Sequence, residues 1–276
     1  MVEVREWSRG DTARVLRAPT PDDDKYSRGV VALRTGSPAY PGAAVLGVEA
    51  AWRAGAGFVW YVGEERVADA VLTRRPETVT GSDVGRTRVD AWVIGSGTDA
   101  AHRRPEEEEQ LRALLRGDAR VVVDAGALDL VDRPTAPTLL TPHAKEFAAL
   151  RRRLGLPTGG DRAAEASEVA TALDVTVLLK GSRTLVASPD GGVIAIGAGT
   201  AWLSTAGTGD VLGGALGAVL ASAAASPLAE AAAAGAWLHG HAARIASGTT
   251  NGEPGHPIVA LDVAEALPRA IADVLA

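Results

Sequence analysis

Short runs of β-branched and apolar residues alternate with alanine-rich segments along most of the chain. The runs have the length and composition of buried strands, and the segments between them have the length of helices. Strands are predicted at residues 29–33, 58–62, 91–94, 121–124, 138–140, 175–180, 184–187 and 192–196. Helices are predicted at residues 42–55, 64–70, 106–116, 126–130, 144–154, 161–173, 209–224, 227–247 and 260–275. The alternation predicts an α/β fold built on a mostly parallel sheet.

One pair of these strands is predicted to form a hairpin instead of a crossover. Residues 184–187 and 192–196 are separated by Ser188-Pro189-Asp190-Gly191, and Asp-Gly is a strong signal for a tight turn. The sheet is therefore expected to carry an antiparallel hairpin at one edge. No segment has the composition of an interdomain linker, so residues 1–276 are expected to form a single domain.

Composition limits the possible partners. The chain of 276 residues is 46% hydrophobic and contains no cysteine, which excludes disulfides, thiol nucleophiles and thiolate metal sites. No stretch resembles a membrane span or a signal peptide, so we expect a cytoplasmic protein with no membrane partner. The net charge of −6 argues against a nucleic-acid partner, and residues 151–153, all arginine, are interpreted as a solvated helix end.

The strongest candidate for chemistry is the glycine-rich stretch at residues 204–214. Gly207, Thr208 and Gly209 open a predicted helix, where free N–H groups and the helix dipole favour an anion such as phosphate. The carboxylate of Asp210 would repel phosphate unless it performs proton chemistry or holds a metal. The alternative is that Asp210 only caps the helix.

Further loops follow the predicted strands, at the sheet edge where open α/β folds bind ligands. Four of them are rich in small or polar residues, namely residues 36–44, 95–98, 124–128 and 141–147. Each also has a structural interpretation: the first two as tight turns, Asp124 as a solvent-exposed helix cap, and Glu146 as part of a capping box.

A fifth loop begins at Lys180, which ends a predicted buried strand. Gly181 follows it and Thr184 closes the turn, so an ammonium, an accessible backbone and a hydroxyl lie close together. This combination suits a nucleotide phosphate. A lysine that only extends its ammonium to solvent is the alternative.

In this order, the motifs resemble those of the ADP-dependent NAD(P)H-hydrate dehydratases, which belong to the ribokinase-like superfamily. The resemblance runs from about residue 28 to residue 246. Its motifs are Tyr40-Pro41-Gly42-Ala43-Ala44, Ile94-Gly95-Ser96-Gly97, Asp124-Ala125, Thr141-Pro142-His143 with Glu146, Lys180-Gly181 with Thr184, and residues 206–214. The family implies a three-layer α/β/α fold of the ribokinase-like type.

The resemblance also implies an activity. Such an enzyme consumes ADP, or ATP in some members, to dehydrate the S epimer of hydrated NADH or NADPH, and it releases AMP and phosphate. Mg²⁺ is expected with the nucleotide. Phosphorylation suits the chemistry, because hydroxide is a poor leaving group and phosphate is a good one.

The resemblance assigns roles residue by residue. Asp210 is implied as the catalytic base. The residues implied as the anion hole are Gly207, Thr208 and Gly209. Those implied to bind ADP are Lys180, Gly181, Ser182, Arg183, Thr184 and Gly209. Those implied to bind the hydrated dinucleotide are Ala43, Gly97, His143 and Asp210. Metal ligands stay unassigned, since the sequence contains no evident carboxylate cage.

Two segments depart from the family pattern. Asp99 follows Gly97-Thr98 and adds a carboxylate near the substrate loop, and residues 199–205 lack the usual nucleotide-binding sequence. About 25 residues precede the resemblance, too few for the epimerase domain that some relatives carry. We therefore expect one epimer to be accepted, a separate epimerase as functional partner, and homo-oligomeric assembly.

Two other functions fit the same motifs. A ribokinase-like kinase could phosphorylate a hydroxymethyl group on a thiazole, pyrimidine or pyridoxine-type heterocycle with Asp210 as base. A nucleotide-binding regulatory protein could keep the fold without turnover.

Overall fold

The computed structural model describes residues 2–276. Its strands are β1 (Val4–Glu6), β2 (Val30–Arg34), β3 (Phe58–Val62), β4 (Val79–Gly81), β5 (Ala91–Ile94), β6 (Arg120–Val123), β7 (Thr138–Leu140), β8 (Thr176–Leu179), β9 (Thr184–Ala187) and β10 (Val193–Ile196). Its helices are α1 (Arg9–Val15), α2 (Pro41–Arg53), α3 (Glu65–Arg74), α4 (Pro105–Leu115), α5 (Ala144–Arg153), α6 (Arg162–Leu173), α7 (Thr208–Ser222), α8 (Leu228–Ser247) and α9 (Ala260–Leu275). None of these helices combines the length and apolar composition needed to cross a bilayer.

Within residues 2–276, ten strands form one sheet in the order β1-β10-β9-β8-β7-β6-β5-β2-β3-β4. Strand β9 runs antiparallel to both of its neighbours, and the other pairs are parallel. The predicted hairpin is confirmed as β9–β10. Strand β1 adds to the outer side of β10, so the hairpin lies one strand inside the edge of the sheet.

Helices cover both faces of this sheet. Alternate strand residues point to opposite faces, so Val31 and Leu33 pack on one side and Ala32 packs on the other. Helices α1–α3 and α7–α9 contribute to the first apolar cluster, and α4–α6 contribute to the second. The three-layer α/β/α prediction is therefore confirmed.

Helix α7 is held very close to α2. A β-carbon on Gly214 would lie 2.0 Å from the carbonyl oxygen of Gly47, so only glycine allows this backbone contact. The start of α7 follows β10, whose carboxyl end lies at the same sheet edge as those of the other parallel strands. The close packing therefore fixes the glycine-rich turn at the edge where open α/β sheets usually bind ligands.

Several expectations about local structure were wrong. The elements β1, α1 and β4 were not predicted, because strands of three residues and a helix of seven carry little periodic signal. Residues 126–130 lie in a 3₁₀ helix, Ala125–Leu130. Arg151 is buried and not solvated, since it donates hydrogen bonds to the carbonyl oxygens of Pro157 (2.7 Å) and Glu165 (2.8 Å).

Candidate active site

Most of the loops singled out from the sequence meet at one sheet edge. Strands β2, β5, β6, β7 and β8 are parallel and lie next to one another in the sheet, so their carboxyl ends meet at the same edge. Helix α7 begins at this edge. Residues far apart in sequence thereby become neighbours, which is the usual arrangement of a ligand site in an open α/β sheet.

The centre of this edge is a buried carboxylate, Asp124. Its side chain accepts hydrogen bonds from Ser96 Oγ at 3.0 Å and Thr141 Oγ1 at 2.9 Å, and it pairs with Lys180 Nζ at 2.8 Å. These contacts join the ends of β5, β6, β7 and β8. Asp124 was interpreted as a solvent-exposed cap, and that interpretation is wrong: its side chain makes no capping bond and the residue is buried.

Asp210 lies in the first turn of α7. Its carboxylate makes no hydrogen bond with any residue of the described chain. Burial, followed by the negative charge of Asp124, raises its pKa to about 6, while the positive charge of Lys180 acts in the opposite direction. A carboxylate whose pKa lies close to neutral pH is suited to take a proton from a substrate.

The turn that precedes Asp210 requires glycine. Gly207 has φ +87°, and a β-carbon there would lie 2.7 Å from Leu46 Cδ1. In residues 2–276 the backbone N–H of Gly207 and that of Gly209 have no hydrogen-bond acceptor, so both are available to an anion. The hydroxyl of Thr208 instead bonds to the carbonyl oxygens of Leu203 (3.0 Å) and Thr205 (2.9 Å).

Lys180 lies close to the glycine turn. A β-carbon on Gly209 would be 3.8 Å from Lys180 Nζ, so the ammonium lies against this backbone. The ammonium is therefore next to both the backbone of Gly209 and the carboxylate of Asp124. This position suits a phosphate oxygen as an additional partner.

Arg162 braces the loop after Lys180 and was not recognised from the sequence. Its guanidinium donates to the carbonyl oxygens of Arg183 (3.1 Å) and Lys180 (3.4 Å). A β-carbon on Gly181 would lie 2.7 Å from Arg162 Nη2. The Arg162 guanidinium therefore lies directly against Gly181, a contact that no local sequence signal reveals.

The rest of the expected ADP loop is more exposed. Ser182 has an exposed side chain, and the Arg183 guanidinium forms an ion pair with Glu6 on β1. Thr184 Oγ1 donates to the carbonyl oxygen of Gly181 at 3.3 Å.

Two residues expected to bind the dinucleotide touch each other. A β-carbon on Gly97, which has φ +68°, would lie 2.4 Å from Ala43 Cβ. It would also lie 3.1 Å from Gly36 Cα. The turns after β2 and β5 are therefore in direct contact and form one continuous glycine-rich surface.

His143 lies at the same edge, and one of its ring nitrogens already accepts hydrogen bonds from the backbone. It is the N-cap of α5, and its Nδ1 accepts from the backbone N–H of Lys145 (3.1 Å) and Glu146 (3.2 Å). Glu146 in return accepts from the His143 N–H at 2.8 Å, which completes the capping box considered from the sequence. Because Nδ1 is an acceptor, the proton of the neutral ring lies on Nε2.

The carboxylate of Asp99, a departure from the family pattern, is used locally. It accepts from the N–H of Ala101 and from His102 Nδ1, each at 2.9 Å. These two bonds, with the backbone bond first, lower the pKa of Asp99. The carboxylate is therefore committed to the 3₁₀ turn at Ala100–His102.

His239 lies below the glycine turn at Gly207 and was not assigned a role from the sequence. It is buried on α8 beside the backbone of Thr208, and burial lowers its pKa to about 4. Its Nε2 has no hydrogen-bond partner in the described chain. A neutral imidazole thus packs against the turn and adds no positive charge at neutral pH.

A cavity of about 800 Å³ lies beside these loops at the carboxyl ends of β2, β3 and β5. Among its lining residues are Arg34, Gly36, Tyr40, Tyr61, Thr98 and Arg104. No group of three or more histidine, aspartate or glutamate side chains in residues 2–276 is arranged to hold a metal ion.

Comparison with known proteins identifies the family. The model of the family described as NAD(P)H-hydrate dehydratase matches residues 31–258. The chain belongs to this family. The resemblance inferred from the motifs is therefore confirmed.

Two relatives illustrate how far the similarity extends. The bifunctional NAD(P)H-hydrate repair enzyme Nnr of Mycobacterium tuberculosis is 44% identical over 222 residues, which cover 77% of this chain and 45% of that protein. The ADP-dependent (S)-NAD(P)H-hydrate dehydratase of Neisseria meningitidis serogroup B is 36% identical over 246 residues, 84% of this chain and 81% of that protein. The match thus covers less than half the length of the bifunctional relative.

A solved structure shares the whole fold. The ADP/ATP-dependent NAD(P)H-hydrate dehydratase from Bacillus subtilis, co-crystallised with ATP/Mg²⁺, aligns with a TM-score of 0.84 and 27% identity. The alignment covers 98% of this chain and 99% of that one. The fold expected from the motifs is confirmed along nearly the entire chain.

Proposed function

We propose that this chain catalyses the ADP-dependent dehydration of the S epimer of hydrated NADH and NADPH. The observation that carries the proposal is Asp210: a half-buried carboxylate with no hydrogen-bond partner in the described residues and a pKa of about 6. It directly follows Gly209, whose N–H is free, and lies near Lys180. A base next to an anion-binding turn is the arrangement that phosphorylation of a hydroxyl needs.

In the first step, Asp210 removes the proton of the ring hydroxyl. The hydroxyl oxygen attacks the β-phosphorus of ADP, a new phosphorus–oxygen bond forms, and the bond to the α-phosphate oxygen breaks. AMP leaves with that oxygen. The N–H groups of Gly207 and Gly209 and the Lys180 ammonium stabilise the charge on the phosphoryl oxygens.

In the second step, the ring carbon–oxygen bond breaks and phosphate leaves with the bonding electrons. A proton is lost from the neighbouring ring carbon, and the two carbons form the double bond of dihydronicotinamide. The sum of both steps is hydrate plus ADP giving NAD(P)H, AMP and phosphate. The hydroxyl oxygen of the hydrate ends in the phosphate.

The remaining expected residues divide between two ligands. Residues 180–184 and Gly209 bind ADP, and Ala43, Gly97, His143 and Asp210 bind the hydrated dinucleotide. The contact between Gly97 and Ala43 supports this division. The Thr208 hydroxyl already bonds within the turn, and its backbone N–H donates to the Thr205 carbonyl oxygen at 3.4 Å. Its contribution to the anion hole therefore requires this long backbone bond to give way to the anion.

The described residues do not fit a resident metal site, since they form no cluster of three potential ligands. Mg²⁺ is therefore proposed to arrive with the nucleotide, where it would neutralise phosphate charge. A separate epimerase as functional partner, homo-oligomeric assembly and a cytoplasmic location stay predictions.

Restoration of dihydronicotinamide absorbance from hydrated NADH, with ADP present, tests the proposal. A kinase for a hydroxymethyl heterocycle would share the first step but leave phosphate on its acceptor. Release of inorganic phosphate therefore distinguishes the two activities.

A further inference from the structure

The cavity of about 800 Å³ adjoins the proposed dinucleotide site without including its assigned residues. Gly36 lines the cavity and also touches Gly97, and its N–H donates to the carbonyl oxygen of Ser96 at 2.7 Å. Residues 36–40 therefore border both the cavity and the surface formed by Ala43 and Gly97. A long ligand that lies on that surface can extend into the cavity.

Arg34 is the unusual group in this cavity. It ends β2 and lies on the same strand face as Ala32, which directs its side chain toward the α4 side of the sheet. The residue is partly buried, yet its guanidinium makes no hydrogen bond and no ion pair within residues 2–276. Removing a guanidinium from water without giving it a partner costs free energy.

Other shielded arginines of this chain do have partners. Arg120 donates to the carbonyl oxygens of Ala223, Ala224 and Ser226 at 2.7–3.0 Å. Arg103, which also lines the cavity, pairs with Asp129 at 2.7 Å. Arg34 thus differs from arginines in comparable surroundings, which indicates that its partner is a ligand.

The charges around Arg34 do not compensate it. Burial lowers its pKa more than the negative charge of Glu107 raises it, and the positive charge of Arg104 lowers it further. Glu64 and Asp99 also line the cavity, but Asp99 is committed to Ala101 and His102. Within the described chain, Arg104 has no side-chain partner either, so two guanidinium groups face this space unpaired.

We propose that the cavity around Arg34 is a phosphate subsite for the hydrated dinucleotide, with Arg34 as the inner contact and Arg104 at the entrance. A guanidinium can bind two phosphate oxygens at once, which suits this class of ligand. The identity of the dinucleotide rests on the proposed function, whereas the phosphate contact rests on Arg34 itself. The phosphate is either the pyrophosphate common to both cofactors or the 2′-phosphate found only in NADPH.

Binding of hydrated NADH and hydrated NADPH, measured by calorimetry without ADP, tests this subsite. R34A is expected to weaken binding by about 10- to 100-fold, the scale of one charge-assisted contact. The affinity of R34K should lie between those of wild type and R34A, because lysine keeps the charge but loses the bidentate geometry of the guanidinium. The control is R152A, since Arg152 is exposed on α5 and outside the cavity.

Comparing hydrated NADH with hydrated NADPH shows which phosphate group Arg34 binds, because only NADPH carries the 2′-phosphate. Weaker binding of hydrated NADPH alone assigns the 2′-phosphate, and an equal loss for both hydrates assigns the pyrophosphate. Binding that R34A leaves unchanged, or wild-type protein that binds neither hydrate, overturns the subsite. R34A should unfold at the same or a higher temperature, because no internal partner is lost, and a marked fall in Tm would contradict that premise.

Turnover of the wild-type protein with ADP is measured separately. Absence of turnover with Arg34-dependent binding intact would refute the dehydratase and leave the subsite standing. Turnover with Arg34-independent binding would refute the subsite and leave the dehydratase standing.

Discussion

Lys180 Nζ lies 2.8 Å from Asp124 Oδ1, although the two residues are 56 positions apart in the sequence. The lysine expected to bind a nucleotide phosphate therefore also pairs with a buried carboxylate. The carboxylate orients the ammonium toward Gly209 and also raises the pKa of Asp210 by its charge. Asp124 is thus expected to act on the reaction through both neighbours.

Replacing Asp124 by asparagine should lower the pKa of Asp210, because the negative charge that raises it is removed. The acidic limb of the pH profile of kcat/KM should then move to lower pH. The matched control is D132N, which removes an exposed aspartate. If the acidic limb of D124N coincides with that of the wild type, the proposed charge coupling is absent.

Replacing Asp210 by asparagine should reduce turnover by about 100-fold or more, the usual scale for losing a positioned base. Nucleotide affinity should stay nearly unchanged, as measured by calorimetry. A D210N protein that keeps half of the wild-type activity would remove Asp210 from the mechanism.

The same variant has a distinct effect on stability. The folded pKa of Asp210, about 6, lies above its ordinary value of 3.8, so folding favours the protonated form. Its stabilising contribution is present at pH below 3.8 and is lost as the pH rises through 6. D210N should therefore raise Tm relative to wild type at pH 8 more than at pH 5, as followed by thermal unfolding. An equal difference at both pH values would contradict the raised pKa.

Replacing Lys180 by alanine should weaken ADP binding by roughly 1.5–3 kcal/mol, the range for a charge-assisted hydrogen bond. Binding of the hydrated dinucleotide should change little. Part of the loss would come from the unpaired Asp124 carboxylate, so the double variant K180A/D124A should recover some ADP affinity. R152A is the control, since Arg152 is an exposed arginine on α5 outside both proposed ligand sites. If calorimetry of K180A shows weaker dinucleotide binding and unchanged ADP binding, the assignments of the two subsites must be exchanged.

The sequence was sufficient for features that depend on local pattern. Buried strands such as β5 are continuous apolar runs, and the Asp190-Gly191 turn indicates its hairpin directly. The turn at Gly207 was recognisable because glycine is required where φ is positive and the backbone must stay open to an anion.

Features that depend on tertiary contacts were not predictable. Asp124 looks like a helix cap in sequence, and only the adjacency of β5, β6, β7 and β8 brings Ser96, Thr141 and Lys180 to it. His239 lies in an alanine-rich helix with no local sign that it packs below Thr208.

The contacts of two arginines were likewise not predictable from the sequence. Residues 151–153 are all arginine and read as a solvated end, yet Arg151 turns inward to bond with the chain at Pro157. Arg162 supports the Lys180 loop from a neighbouring helix. In each case a backbone carbonyl outside the arginine's own helix supplies the acceptor, and no local sequence pattern reveals that contact.

The most direct test of the proposed dehydration is the recovery of near-ultraviolet dihydronicotinamide absorbance from hydrated NADH, with Mg²⁺ and ADP present. We predict that absorbance returns in proportion to the ADP consumed, for the S epimer only, with AMP and inorganic phosphate released in equal amounts. Without ADP the leaving group is hydroxide, so the barrier returns toward its uncatalysed height and absorbance should stay low. Folded protein that fails to restore absorbance with either ADP or ATP would contradict the account and favour a kinase for hydroxymethyl heterocycles.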